Sequence, residues 1–405
     1  MSYPRHILLI AFAYEPGRGS EPGVGWNMAH ALARRSRVTV VTRDGVEWTR
    51  KSPVEVVRIR PRHWPESFVP RPGGSAWQLY YYAWTRELSR QLPRIISRTA
   101  PDLVQHLTYV RYWMPSATDS AGAPFLWGPV GGGEGMSDRF VESLPGDQRR
   151  SERFRSLIRS AWEADPALAR TAANATAALA TTAETATRMW GLLGKKVPVC
   201  PIVGLSEAEL VRLSRVEEPA DGPIQLLSIG RLIHWKGHDL AIEALAALPE
   251  SVHYTLVGDG PERERLERLA AAVGVSDRVR ITGWMDREEV LEQLASAHAL
   301  VHPSYHDSGG MVCLEAMAAG RPVITLEGNG PALLTAEAGL PVAAPTRGAA
   351  IRGIARAAER LADDRDLRRH LGDAGRQRIR DHFLWGRRAE ALEPHYRRAL
   401  EGGRP

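Results

Sequence analysis

Cysteine is nearly absent: Cys200 and Cys313 are the two in 405 residues. That excludes a disulfide framework and a cysteine-rich metal site, and it suits a reducing compartment. Long apolar runs are also missing, since nothing approaches the ~20 residues that a bilayer-spanning helix needs. The N-terminus imitates a short signal peptide, with Arg5-His6 ahead of ILLIAFA. A Gly-rich loop and a helical pattern follow at once, so the run reads as the buried first strand of a parallel sheet. No repeat of 20–50 residues and no long low-complexity tract is present. The Gly-x-Gly-x-x-Gly spacing of dinucleotide sites is lacking, which argues against an NAD oxidoreductase. No convincing metal-ligand cluster occurs either. Asp364-Arg365-Asp366 has metal-type spacing, but it sits in a highly charged helical run and reads as solvated surface.

What is present is a soluble, globular composition, 43% hydrophobic and 25% charged. The length exceeds one ordinary core, so two domains are expected. Charge divides unevenly. Residues 1–200 carry 27 Lys and Arg against 17 Asp and Glu, a net +10, whereas residues 201–405 carry 26 against 30, a net −4. Of the 28 Phe, Trp and Tyr, 21 precede residue 201. The two halves are expected to meet different partners.

Near-continuous apolar strands alternate with helical patterns throughout. In the first half they read at 6–13, 38–42, 54–59, 103–108, 124–128 and 178–182. In the second they read at 224–230, 253–258, 279–283, 299–304 and 322–327, with helices at 238–248, 261–273, 286–297 and 311–319. Such patterning predicts α/β architecture with parallel sheets covered on both faces, in two Rossmann-like, doubly wound domains. The join is placed near Pro198–Leu205. The expected domains are 1–200, 201–383 and an amphipathic terminal helix over 384–405 beginning near Trp385. Ligands of open α/β sheets bind outside the carboxyl ends of strands, so a cleft between facing sheets is the expected site.

The densest chemistry lies in HPSYHDSGGMVCLEAMAAGRPVIT, residues 302–325. Asp307 and Glu315 stand eight positions apart across Gly309-Gly310, which opens a helix. Glycines let backbone approach a ligand, and the helix start offers free N–H groups and positive dipole to an anion such as a diphosphate. A carboxylate there can accept hydrogen bonds from sugar or ribose hydroxyls. Upstream, Gly230-Arg231-Leu232 follows a strand and Lys236-Gly237 comes soon after, two cations able to hold a diphosphate. Val257-Gly258-Asp259-Gly260-Pro261 is a strand, a turn and a helix start.

These segments resemble the retaining glycosyltransferases of family 4, which have the GT-B fold. The shared features are an acid-x7-acid spacing ending in Glu315-Ala316-Met317-Ala318, then Gly320 and Pro322-Val323-Ile324, and the Gly-Arg-Leu…Lys-Gly segment. Asp307 stands where most members have Glu, and Ser308-Gly309-Gly310-Met311 replaces the common Gly-Phe-Gly-Leu, which leaves the sugar open. The resemblance implies that Arg231 and Lys236 bind diphosphate, Glu315 the ribose and Asp307 the transferred sugar. The backbone of Gly230, Gly258, Gly309, Gly310, Met311 and Val312 would line the donor. Trp284 falls in the base-binding segment, though packing is an equal reading. Cys313 and Met317 are expected to face the core.

In the first half, GSEPGVGW and WGPVGGGE are recognisable within one branch of the family. Gly19 and Ser20 would approach the diphosphate, and Ser20 or Glu21 can cap the next helix. His106, at a strand end, would face the donor sugar, although most lone histidines are structural. Glu134 and Tyr81 are candidate acceptor contacts. Trp77, Tyr80, Tyr81, Tyr82 and Trp84 form either an aromatic wall or ordinary core. The implied activity moves a sugar from a nucleotide-diphosphate sugar to a glycan, lipid-linked or small-molecule hydroxyl, as in polysaccharide biosynthesis. No metal, other cofactor or nucleic-acid partner is expected. The alternatives are a phosphorylase or synthase of the same fold, or a non-catalytic sugar-nucleotide-binding subunit.

Residues 149–162, RRSERFRSLIRSAW, put Phe154, Leu157, Ile158, Ala161 and Trp162 on one helical face. Arg149, Arg153, Arg155 and Arg159 fall mainly on the other. A basic amphipathic helix can lie on an anionic membrane, and the competing reading packs its apolar face on its own domain. The expected location is cytoplasmic, with peripheral contact at the inner face of the membrane as its extension.

Overall fold

A computed structural model describes residues 3–45, 52–62, 64–65, 75–117, 122–219 and 222–402. The chain divides into two compact units. The first comprises residues 1–133, 157–203 and 385–405, and the second 134–156 and 204–384. Among the described residues there are twelve strands: β1 (His6–Ala11), β2 (Arg37–Arg43), β3 (Glu55–Ile59), β4 (Leu103–Thr108), β5 (Phe125–Val130), β6 (Ala177–Ala180), β7 (Ile224–Ile229), β8 (Val252–Val257), β9 (Val279–Gly283), β10 (Ala299–His302), β11 (Val323–Leu326) and β12 (Gly339–Val342).

The first unit holds a six-stranded sheet in the order β3-β2-β1-β4-β5-β6, parallel throughout. The apolar runs behave as expected: all six residues of HILLIA and of LVQHLT are buried. The polar members of β4 must then be bonded internally. Gln105 Nε2 donates to Gly128 O at 2.9 Å, and Thr108 Oγ1 donates to Ala13 O at 3.0 Å. The Tyr396 hydroxyl donates to Gln105 Oε1 at 2.7 Å. Tyr396 lies on the terminal helix Trp385–Gly402, whose Trp385, Ala389, Leu392, Tyr396 and Ala399 are buried at helical spacing. That stripe seats the tail on the first unit; residues 403–405 of the tail lie outside the described residues.

The second sheet runs β12-β11-β10-β7-β8-β9, also parallel, which repeats the strand order of the first. Its edge strand β12, GLPV, escapes the sequence reading. Gly and Pro weaken a strand pattern, and Pro341, which has no N–H to donate, is tolerated because β12 is an edge strand with one neighbour. Residues 134–156 join this unit, although they fall inside the 1–200 span read as the first domain. Phe140 and Leu144 enter the second core, with the Phe140 ring edge-on to Tyr305 at 5.3 Å. Among the described residues, no helix is long and apolar enough to cross a membrane.

Candidate functional site

In the second unit, the chain leaves β10 at His302 and reaches Asp307 within five residues. Lys236 comes beside it because Gly237 turns the chain with φ +68. A Cβ on Gly237 would stand 2.1 Å from the Pro303 carbonyl oxygen, so only glycine permits this approach. Lys236 Nζ donates to Asp307 Oδ2 at 2.5 Å. His302 Nε2 lies 3.2 Å from the same oxygen, and the Gly309 N–H donates to Oδ1 at 3.2 Å. Burial opposes charge on Asp307, but Lys236 and His302 outweigh it and hold the carboxyl well below its usual range. Asp307 is therefore a fixed anion. The sequence alone gives His302 no role, although it opens the segment 302–325.

Gly310, at φ 134, starts the helix Met311–Ala318. A helix start leaves its first N–H groups without intrahelical partners. Glu315 lies on that helix, largely buried, and accepts from Arg287 Nη1 at 2.7 Å. Burial raises its pKa, and Arg287 partly offsets the rise. Cys313 and Met317 are fully buried, as expected of core residues.

At the ends of β7 and β8 the backbones nearly touch. A Cβ on Gly258 would lie 1.9 Å from the Gly230 carbonyl oxygen. Arg231, just beyond, is exposed. Trp284, after β9, is 80% exposed, which removes the packing reading and leaves its ring available to a ligand. Asp364 caps the helix Arg365–Arg378 through the Leu367 N–H at 2.7 Å, so the Asp-x-Asp string has a structural role.

A second buried cluster supports these loops. Glu152 Oε1 is 2.8 Å from His234 Nε2 and 3.3 Å from His306 Nε2. Burial opposes the Glu152 charge, yet the two histidines hold its pKa well below normal. His306 stacks on Trp235 at 5.7 Å. Next to them, the fully buried Asp239 accepts from the Tyr305 hydroxyl at 3.0 Å, Gln148 Nε2 at 3.2 Å and Arg347 Nη2 at 3.2 Å. Residues 234–236 and 305–307 are thus clamped from behind by the helix Gly146–Glu163. Sequence reasoning missed this, because the partners are 82 and 154 positions apart. His238 is also enclosed: both ring nitrogens are buried, and among the described residues neither makes a hydrogen bond of good geometry, the Arg231 backbone being a weak neighbour. Burial, then the nearby His302 and Lys236, lower its pKa to about 3.

In the first unit, His106 is fully buried at the end of β4. Its Nδ1 is 2.5 Å from Ser116 Oγ, and among the described residues its Nε2 has no hydrogen-bond partner of good geometry. Burial lowers its pKa to about 3, so the ring is neutral at physiological pH. Neither Ser20 nor Glu21 caps the helix Ser20–Leu32: Gly19 is the cap residue, without a side-chain bond. Ser20 instead takes φ 58, a strained value for a non-glycine residue, and the Glu21 carboxylate accepts from the Tyr109 N–H at 2.8 Å. The glycines of GVGW are explained by packing, since a Cβ on Gly25 would fall 2.2 Å from the Ala13 carbonyl oxygen. Tyr81 is 1% exposed and packs edge-on against Phe12 at 5.1 Å. With Trp77, Tyr80 and Trp84 also buried, the aromatic crowd is core, and Tyr81 offers no open surface to an acceptor. Glu134 belongs with the second unit and is buried, with Arg155 Nη2 donating to its carbonyl at 3.1 Å.

Two parallel six-stranded sheets of this order define the GT-B fold, and solved structures match it over almost the full chain. Sucrose-phosphate synthase from Thermosynechococcus elongatus superposes with a TM-score of 0.67 at 21% identity, covering 98% of this chain and 99% of that one. HepE of Anabaena, in complex with UDP and glucose, gives 0.57 at 15% identity over 96% and 99%. At the level of sequence, residues 212–378 match the family described as Glycosyl transferases group 1. The lipopolysaccharide core biosynthesis glycosyltransferase LpsE of Rhizobium meliloti (strain 1021) is 37% identical over 182 residues, 44% of this chain and 51% of that protein. The chain spans about half the length of the curated relatives it matches.

Proposed function

We propose that the protein is a retaining glycosyltransferase of family 4, moving a sugar from a nucleotide-diphosphate sugar to an acceptor hydroxyl. The observation that carries this reading is Asp307, held ionised by Lys236 and His302 beside the open start of the helix that carries Glu315. Lys236, Arg231 and the helix N-terminus supply fixed positive charge where a diphosphate would gain negative charge as the sugar leaves. Asp307 can accept hydrogen bonds from sugar hydroxyls, and Glu315 from the ribose. The bond from the anomeric carbon to the diphosphate oxygen breaks, and a bond to the acceptor oxygen forms on the same face. The acceptor's proton passes to the leaving phosphate, so no protein nucleophile is required. Positioning and electrostatics then carry most of the rate. The matched glycosyltransferase segment and a fold shared with a protein crystallised with UDP and glucose both support this reading.

A thermal-shift panel of nucleoside diphosphates and their sugar conjugates tests it, because a bound ligand raises the melting point by mass action. Glu315→Gln is expected to weaken free nucleoside diphosphate and sugar conjugate alike, since both contain ribose. Asp307→Asn is expected to spare the free nucleotide and weaken the conjugate. Calorimetry decides, and equal losses for both ligands in both variants would remove this division of labour. Release of inorganic phosphate during turnover would indicate a phosphorylase instead. Tight nucleotide binding without turnover would indicate a binding subunit. Activity is expected to persist in excess chelator, because fixed cations and a helix N-terminus do the work of a metal. Loss restored by Mg²⁺ or Mn²⁺ would overturn that.

A further inference from the structure

In the first unit, three arginines and one acid, Asp165, stand among the described residues that line a single pocket. The pocket lies between the helix Ser75–Thr99 and the helix Pro166–Asn174, and its whole lining belongs to that unit. Its volume is about 620 Å³, within the range of small-molecule sites. Arg86 and Arg90 stand one turn apart on the first helix, so they share a face, and Arg170 comes from the second. Arg90 has the buried Glu87 at 3.3 Å. Among the described residues, Arg86 and Arg170 have no acidic partner.

Like charges four residues apart on a helix repel, and a third across the pocket adds to that cost. An anion among them turns the repulsion into attraction. Guanidinium groups pair with phosphate and carboxylate through two parallel bonds, which selects those anions. The net +10 of residues 1–200 favours an anionic ligand as well.

The remaining lining suits something larger than a bare anion. The Ser89 hydroxyl donates to the Thr85 carbonyl at 3.0 Å, which leaves its oxygen as an acceptor. Asp165 accepts from the Ala167 N–H at 2.8 Å and keeps further acceptor capacity. Such groups take O–H donors, and the Asp165 charge disfavours an isolated phosphate. Tyr82 is partly buried, with Trp162 against it at 5.5 Å, and adds an aromatic ring of the kind that packs on the C–H face of a pyranose.

We propose that this pocket binds a sugar that carries a phosphate or a carboxylate. Arg86 and Arg170 hold the anionic group, and Asp165 and Ser89 accept from the hydroxyls. The site goes beyond the glycosyl-transfer reading and does not rest on it, because no candidate donor residue lines the pocket and binding requires no turnover.

Calorimetry on the full chain tests it, with glucose 6-phosphate, glucuronate, glucose and inorganic phosphate as probes. The two anionic sugars are expected to bind, less tightly as salt is raised. Glucose is expected not to bind, and phosphate to bind at least about tenfold more weakly than glucose 6-phosphate. R86A/R170A is expected to lower the affinity for glucose 6-phosphate about 30-fold, with the melting point unchanged because both side chains are exposed. R86K/R170K is expected to bind more tightly than the alanine pair, since the charge remains and only the fork is lost. R231A is expected to bind like the wild type. A wild-type chain that ignores both anionic sugars at low salt overturns the proposal, as does R86A/R170A binding at full affinity. Binding lost in R231A but kept in R86A/R170A would move the anion to the donor site. Phosphate binding as tightly as glucose 6-phosphate would overturn the assignment of a sugar.

Discussion

Lys236→Ala is expected to lower kcat/KM with a sugar-nucleotide donor by about 30- to 1000-fold, or about 2–4 kcal/mol of transition-state stabilisation. The magnitude rests on two roles meeting at one ammonium group. As proposed, it neutralises the diphosphate as charge develops on the leaving group. It also fixes Asp307, which it contacts at 2.5 Å. Removing it leaves His302 and the Gly309 N–H to hold Asp307. A charge-assisted bond in a partly buried site is worth about 1.5–3 kcal/mol, so the melting point should fall as well. Kinetics must therefore be measured well below the shifted transition. Lys236→Arg should rescue stability better than rate, because a planar guanidinium cannot place one compact charge between a carboxylate and a phosphate. Arg231→Ala is the informative companion. Arg231 is exposed, so its loss should reduce turnover in the same range with little change in melting point. If both alanine variants turn over near normally, the donor-site assignment is wrong.

Features legible in the sequence and features that are not divide along one physical line. Strands buried on both faces announce themselves, because nothing polar interrupts ILLIA after His6, and what does interrupt LVQHLT is bonded internally. The acid motif was equally legible, since its chemistry is local: Asp307, Gly310 and Glu315 lie within nine residues, and glycine is the only type that suits φ 134. Partnerships across long separations were not. Nothing near Glu152 in the chain announces His234 or His306, and nothing in residues 134–156 says that Phe140 packs against Tyr305. Periodicity also fixes that a helix has two faces without fixing which one is covered. That is why Arg159 is buried while Leu157 is exposed. Tyr81 failed as a surface candidate for a related reason. Five aromatics in eight residues suit a ligand wall and a core equally, and only the position of Phe12 decides between them.

Acid should destabilise the protein well above the range where carboxylates protonate. His106 and His238 are enclosed and neutral, each with a folded-state pKa lowered to about 3, first by burial. An unfolded histidine titrates near 6.5. Between these values the unfolded chain holds more protons than the folded one, so stability falls as pH falls through that window. Each such ring contributes a slope of up to about 1.4 kcal/mol per pH unit. Burial lowers His302 and His306 too, which adds to the same trend. Asp307 and Glu152 act later, because their depressed values keep their stabilisation above the ordinary carboxylate range and release it only under stronger acid. Urea unfolding at pH 7.5, 6.5 and 5.5 should therefore show midpoints dropping well before pH 4. His238→Phe isolates one contribution. Among the described residues the ring nitrogens of His238 make no hydrogen bond of good geometry and the Arg231 backbone offers only a weak one, so an apolar ring forfeits little and removes the proton-binding group. Its stability at pH 7.5 should be close to wild type, whereas its pH slope should be shallower by about 1.4 kcal/mol per unit. An unchanged slope in His238→Phe would mean that the ring reaches water and is protonated in the folded protein, and the enclosure of that residue would have to be abandoned.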